Sequence, residues 1–521
     1  MGLIYFYLSS LTIVNISEGV SIFLIKHYST RKIIANFALV FSKQDNNGLR
    51  MQTSTRISIK KELYRLTLPI FIDIALVMML GAVDTVMLSR FSDDAVAAVG
   101  LDNQLVSLVF LIYQFFSMGA AILCAQYFGA GLRSRFIQIV GISVFVNMLL
   151  GMLMSLTLWI WAEPILQMFG LRENLMADGV RYLKITGALS FFQALSLTFS
   201  AVLRSTGKTL YPMLATVAVN ILNICGNYAL IFGNWGCPAM GVEGAAWATA
   251  GSRIVAMLIL LCFMPTVWPA AKAGGKAACR GVKHMGVRTA SKIKALAAYF
   301  RPFPVQELKN LFYIGIPAMS EELSYSLSQV AITYFINQIS TEALTTKIYC
   351  STAITFVILF STSIVQGGDI LVGHYVGQLR YRVAYILGNY VFRTGMMLTL
   401  IVATVLAFCG RPLLQFLTDN EAIITLGTWI FIIDWVLNIG RVKNIFACGT
   451  LRATGDAVYP VVVGVIFQWV VAVGFAWFVG IPLGYGLIGI WLAFCLDENL
   501  RGIILMRRWH SQKWRGRAFT V

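Results

Sequence analysis

The chain has 521 residues, of which 58% are hydrophobic and only 12% charged, with a mean hydropathy of +0.75. A soluble domain of that size needs more surface charge, and apolar runs of roughly 20 to 28 residues exclude a strand-built barrel, which leaves a polytopic helical membrane protein. The net charge of +18 is no nucleic-acid footprint, because nine Lys or Arg against Glu307 crowd into Pro265–Asn310 and six more follow Glu498 with no acid; such runs mark loops kept on the cytoplasmic side.

Residues 1–59 read as an N-terminal extension outside the core. Its stretches IYFYLSSLTIV and VSIFLI are each too short to span a bilayer, and no signal-peptide pattern precedes them. Met51 is an alternative start, and a re-entrant or interfacial segment is the competing reading. Twelve spans follow. The first six cover 64–89, 95–127, 136–161, 176–203, 210–232 and 243–264. The second six cover 310–336, 343–375, 384–408, 421–447, 458–479 and 486–507. The expected domains are an N-lobe at 60–264, a basic cytoplasmic linker at 265–309, a C-lobe at 310–507 and a basic tail at 508–521. The short loops place Arg133, Arg135, Arg204, Lys208, Arg380, Arg382, Arg441, Lys443 and Arg452 on the linker's side. Both termini are then cytoplasmic. Nine cysteines are scattered singly without a CxxC pair and read as small core residues.

The first span, LTLPIFIDIALVMMLGAVDTVMLSR, carries Asp73 and Asp84 on one helical face, roughly 16 Å apart along the axis. Acids inside a membrane helix face a cavity or a partner by default. Pro69 and Asp73 return 248 residues later as Pro317 and Glu321. The same offset relates LRSTGKTLYP at Leu203–Pro212 to LRATGDAVYP at Leu451–Pro460, and Gly129 to Gly377. An even number of spans per repeat keeps both halves the same way up. They are then related by a pseudo-two-fold axis along the membrane normal, with a cleft between two six-helix lobes.

Over about 60–510 the chain resembles the MATE (multidrug and toxic compound extrusion) transporters, bacterial type. The matching pieces are LPI…VDT, AQYFGAG, LRSTG…YP, NILN…IFG, GVEGAAWAT and IPAMSEEL. The resemblance implies an antiporter that exports organic, cationic or amphipathic, small molecules against inward H⁺ or Na⁺. It implies no enzyme activity, no cofactor and no resident metal. Its partners are small organic substrates and the lipid bilayer, it acts as a monomer, and it resides in the bacterial cytoplasmic membrane.

The resemblance carries the family's N-lobe cation site onto Asp84, Asn223, Asn227 and Thr249. Many members have Asp where Asn227 stands, and losing that carboxylate weakens the case for Na⁺ and leaves protonation of one acid as the simpler coupling. Asn220, Asn223 and Asn227 form one polar stripe. Asp84 among amides in a low-dielectric pocket favours the neutral acid. Matched by span alone, the cavity acids are Glu321, Asp434 and Asp497, with Asp73 the symmetry mate of Glu321 across the cleft. Arg253, four residues past Thr249, is read as a charge partner. Asp497 and Arg501 also fit a plain intrahelical pair. Asp369 and His374 read as helix-end groups and Asp456 as a helix cap. Two rival readings remain: an exporter or flippase of an anionic metabolite or lipid-linked substrate, and a non-transporting scaffold. Duplication with buried acids argues against the scaffold.

Overall fold

The computed structural model describes residues 11–15, 21–25, 53–267 and 303–520. Most of the basic linker expected at 265–309 lies outside them. The chain divides into Met1–Ser58 and Ile59–Val521. In the first unit, β1 (Leu11–Asn15) and β2 (Ser21–Ile25) pair antiparallel with Leu11 opposite Ile25. Their β-branched and aromatic side chains suit a pleated strand, which accounts for apolar runs too short to span.

Helix α1 (Thr53–Ser89) begins in the first unit, and from Ile59 on it builds the first lobe with α2 (Asp93–Ala130), α3 (Arg133–Ile160), short α4 (Ala162–Met168), α5 (Glu173–Ala188), α6 (Ser190–Ser205), α7 (Leu210–Phe232) and α8 (Gly241–Phe263). The second lobe holds α9 (Val305–Ile339), α10 (Thr341–Gly377), α11 (Tyr381–Leu417), α12 (Glu421–Ala453), α13 (Val458–Phe467), a π-helical segment Gln468–Phe475, α14 (Ala476–Gly480) and α15 (Gly486–His510). Nine helical spans among the described residues are long and apolar enough to cross a membrane, with α13 to α14 counted as one. The pair α5 and α6, bent by 42°, makes a tenth. The remaining two, α9 and α15, are long enough but interrupted by Glu321, Glu322, Asp497, Glu498 and Arg501. The result in this unit is an all-helical fold of twelve spans in two six-helix lobes.

The pseudo-two-fold axis has a physical signature where α2 meets α10. Gly129 lies against the backbone of His374, and Gly377 against the backbone of Gln126. Each of these residues lies 248 positions from its counterpart, so the contact is reciprocal, as an isologous interface must be. No side chain fits at either glycine, which is why the helices approach so closely. The lobes therefore touch at one face, here called the basic face because it carries the Gly131 and Gly207 turns with their arginines. Tyr127 of α2 donates to Glu307 of α9 at 2.5 Å there. His374 Nε2 meets the Ser205 carbonyl at 2.6 Å, so this histidine bridges lobes besides sitting near a helix end. One core cluster gathers Phe115, Leu123, Tyr127 and Phe199 of the first lobe with Leu311 and Ile314 of the second.

After α15 the chain folds back as a strap over the same face. Trp514 is fully buried and stacked on Trp509 at 4.9 Å. Arg517 Nη1 reaches Asp456 Oδ1 at 2.6 Å and Arg508 Nε reaches Asp456 Oδ2 at 2.8 Å. Farther along, the Phe519 N–H donates to Gln126 Oε1 at 2.9 Å, and Arg135 donates to the Phe519 carbonyl at 3.0 Å. The strap thus ties a turn of the second lobe to α2 and α3 of the first. Asp456 corrects its expected role as a helix cap. It is wholly buried and anchors two arginines, which a charged group in that position requires.

Candidate functional site

The asparagine stripe on α7 is turned inward, with Asn223 and Asn227 fully buried and Asn220 nearly so. Spacing of three and four residues stacks their amides on one face. Asn220 Nδ2 is spent on its own helix, donating to the Thr216 carbonyl at 2.9 Å. The other two join a chain that crosses three helices. Asn227 Nδ2 donates to Asp84 Oδ1 of α1 at 2.7 Å and to Asn223 Oδ1 at 3.1 Å. Asn223 Nδ2 in turn donates to Thr249 Oγ1 of α8 at 3.2 Å. The four residues expected to form the cation-coupling site are therefore within one hydrogen-bonded chain. Asn227 Oδ1 is buried without a donor, leaving an acceptor beside the Asp84 carboxylate.

Arg253 stands one turn past Thr249 on α8. Its guanidinium lies over the Phe110 ring at 4.8 Å, and its Nη1 is buried without an acceptor. A cation stacked on a ring needs less solvent and places positive potential near Asp84 without neutralising it by contact. Tyr182 of α5 closes the wall, with its hydroxyl donating to Asn103 Oδ1 at 3.3 Å. Beside Asn103, Asp102 is wholly buried, and neither carboxylate oxygen has a hydrogen-bond partner. No cluster of three or more His, Cys, Asp or Glu suited to a metal occurs among the described residues. One carboxylate among neutral oxygens suits a proton better than a permanently held divalent ion.

The four acids expected to line the cleft are each ion-paired, and of them Asp497 lines a cavity within the second lobe. Asp73 is buried in the first lobe, ion-paired with Arg204 and accepting from Thr216 Oγ1 at 2.5 Å. Glu321 is buried in the second lobe, ion-paired with Arg452 and accepting from Cys448 at 3.6 Å. Asp73 and Glu321 each close within their own lobe rather than facing each other. Asp434 accepts from Asn438 at 2.6 Å and pairs with Arg441 at 3.3 Å. Asp497 pairs with Arg501 at 2.9 Å, as an intrahelical pair would, and Arg501 also meets Glu498 at 3.2 Å. Glu322, the next residue on α9, joins no ion pair among the described residues.

The arginines that hold these acids are what sequence reasoning misplaced. Arg204, Arg441 and Arg452 were assigned to loops, whereas α12 continues to Ala453 and holds Arg441 and Arg452 inside its length. The signal was present in the repeat: Arg204 and Arg452 are themselves 248 residues apart, the offset of their acids. Ion pairing is what allows the helix to carry these charges through an apolar layer.

Two six-helix lobes around a face-to-face contact, with buried charges organised by the same internal symmetry, define the architecture of a membrane transporter. The MatE family model matches residues 69–229 and again 317–478, once per lobe, and the chain belongs to that family. Its members are transporters, not enzymes. The chain is 35% identical over 452 residues to the uncharacterized transporter YisQ of Bacillus subtilis, covering 87% of this chain and 94% of that one. It is 28% identical over 477 residues to the probable multidrug resistance protein NorM of Thermotoga maritima, covering 88% and 94%. Among solved structures, a variant of the Vibrio cholerae MATE transporter VcmN superposes with a TM-score of 0.76 at 18% identity, covering 89% of this chain and all of that one.

Proposed function

We propose that this chain is a secondary active efflux transporter that exports organic amphipathic molecules by antiport with protons, through alternating access of its two lobes. The observation that carries the reading is the Asp84–Asn227–Asn223–Thr249 chain: a single carboxylate, held by an amide and facing an unfilled acceptor. With the basic face in the cytoplasm of a bacterial inner membrane, the lobes meet on the inside and the pocket lies in the outer half of the first lobe. A proton arriving from outside neutralises Asp84 and weakens its bond to Asn227. Pro69, inside α1, lacks an N–H for the helix ladder and is the place where that helix bends. Bending there lets the close α2–α10 seam open. Each inward proton contributes about 2.3 kcal/mol per 100 mV, in addition to the pH gradient.

The test is Asp84→Asn in everted membrane vesicles loaded through an imposed pH gradient, with sodium omitted in a parallel series. Expected is loss of gradient-driven dye accumulation at normal protein levels, and no dependence of the wild type on sodium. Unchanged pH dependence in the variant would sink the proton reading. Sodium dependence would replace the proton by a metal cation at the same oxygens.

A second reading concerns the cargo. The cleft acids that favoured a cationic substrate are each met by an arginine. That pairing favours an anionic metabolite or lipid-linked cargo over a purely cationic one.

A further inference from the structure

The second lobe encloses a cavity of about 340 Å³ between α9, α10, α12, the π-helical segment and α15. That volume suits one small ligand. Three cations line it, Lys347, Arg441 and Arg501, with two acids, Asp497 and Glu498. The arginines are committed: Arg441 to Asp434 at 3.3 Å, just behind the wall, and Arg501 to Asp497 and Glu498. Lys347 is the exception. Its ammonium donates to the Thr333 hydroxyl, and no carboxylate among the described residues pairs with it.

Two further donors in the wall are unfilled. Trp491 is 4% exposed and Arg501 3% exposed, and neither Trp491 Nε1 nor Arg501 Nε has an acceptor. Against these stands one unfilled acceptor, Asp497 Oδ1. Buried donors of this kind are ordinarily satisfied, so their excess specifies what is missing. Position adds to composition. Both α10 and α15 start on the face opposite the basic one, and Lys347 and Trp491 lie about 8–9 Å below those starts, at similar depth. Arg501 lies about 15 Å deeper along α15. The cavity is therefore elongated, with the Lys347 and Trp491 side chains at its outer end. Tyr325 and Phe494 contribute aromatic wall.

We infer that this cavity binds an aromatic organic anion, its carboxylate or sulfonate held by Lys347, with the Trp491 indole packed behind that end. The inference rests on the efflux reading for the idea of a cargo, but its test needs no transport. The purified chain in lipid nanodiscs is titrated with carboxyfluorescein and, separately, with rhodamine 123, which presents a similar ring system with opposite charge. Fluorescence anisotropy reads binding without any gradient. Expected is tighter binding of the anion, a loss of tenfold or more with Lys347→Gln, retention with Lys347→Arg, and a smaller loss with Trp491→Phe. Lys347→Gln binding the anion as wild type does, or the cation binding as tightly as the anion, would overturn the site. Vesicle efflux of either dye separates the two readings. Efflux without Lys347 dependence keeps the transporter and removes this site, whereas Lys347-dependent binding without efflux keeps the site and removes the efflux reading.

Discussion

The two lobes share one scaffold but treat charge in opposite ways. In the first lobe Asp84 is solvated by neutral amides, with its nearest cation stacked on a ring instead of paired. Moved by 248 residues, Asp84, Asn223 and Asn227 become Ile332, Val471 and Phe475. Three of the four site positions are thus apolar in the second lobe, with Ile332 wholly buried in its core, while Thr249 and Arg253 become the ion-paired Asp497 and Arg501. What the second lobe has instead is a set of acids locked to arginines. Asp73 and Glu321, with Arg204 and Arg452, are the part both lobes keep. A shared ion pair at equivalent sites reads as scaffold, and an acid present in one lobe without a cation in contact reads as chemistry.

The comparison breaks first at Asp84. Asp84→Asn is expected to abolish pH-driven efflux, while Glu321→Gln should impair folding before it changes the pH profile. Equal pH profiles for the two variants would make the division between chemistry and scaffold wrong. Next in size is the scaffold itself. Arg452→Met alone leaves Glu321 buried and uncompensated and should lower stability by about 3–5 kcal/mol, whereas joining it with Glu321→Leu should recover most of that. Thermal unfolding of the chain in detergent reads both. Arg204→Met with and without Asp73→Leu should repeat the pattern in the first lobe, and failure to do so would show that the lobes differ here too.

A smaller effect is expected at the seam. Gly377→Ala puts a methyl group into the Gln126 backbone and should cost about 1–3 kcal/mol in the conformation with the basic face closed. A cysteine-accessibility assay on that face should then report more opening, with Gly129→Ala behaving alike by symmetry. The smallest expected change is Arg253→Ala, about 0.5–2 kcal/mol for the lost ring contact. Its sharper readout is a displaced pH dependence of efflux, since the positive potential near Asp84 goes with it.

Much of this was legible in the sequence, and for identifiable reasons. The repeat, the twelve spans and the four-residue N-lobe site are encoded as spacing, which helical geometry turns directly into position. The ion pairs were hidden because a lone arginine near a span end reads as a loop charge. Only the length of α12 beyond the apolar run shows Arg441 and Arg452 to be inside. Asp102 escaped notice for a related reason. It lies close to the start of its span, where an acid passes for solvated, yet the packing of α2 against α5 buries it completely. Burial depends on neighbours far away in the chain, and spacing along one helix does not carry that information.

The C-terminal strap turns a conformational question into one of digestion. Phe519 and Arg517 are held only while the turn bearing Asp456 stays beside Gln126 and Arg135. A carboxypeptidase added on the basic face should therefore trim the chain slowly when the lobes meet there and quickly when they part. The rate of trimming becomes a label-free clock for the transport cycle.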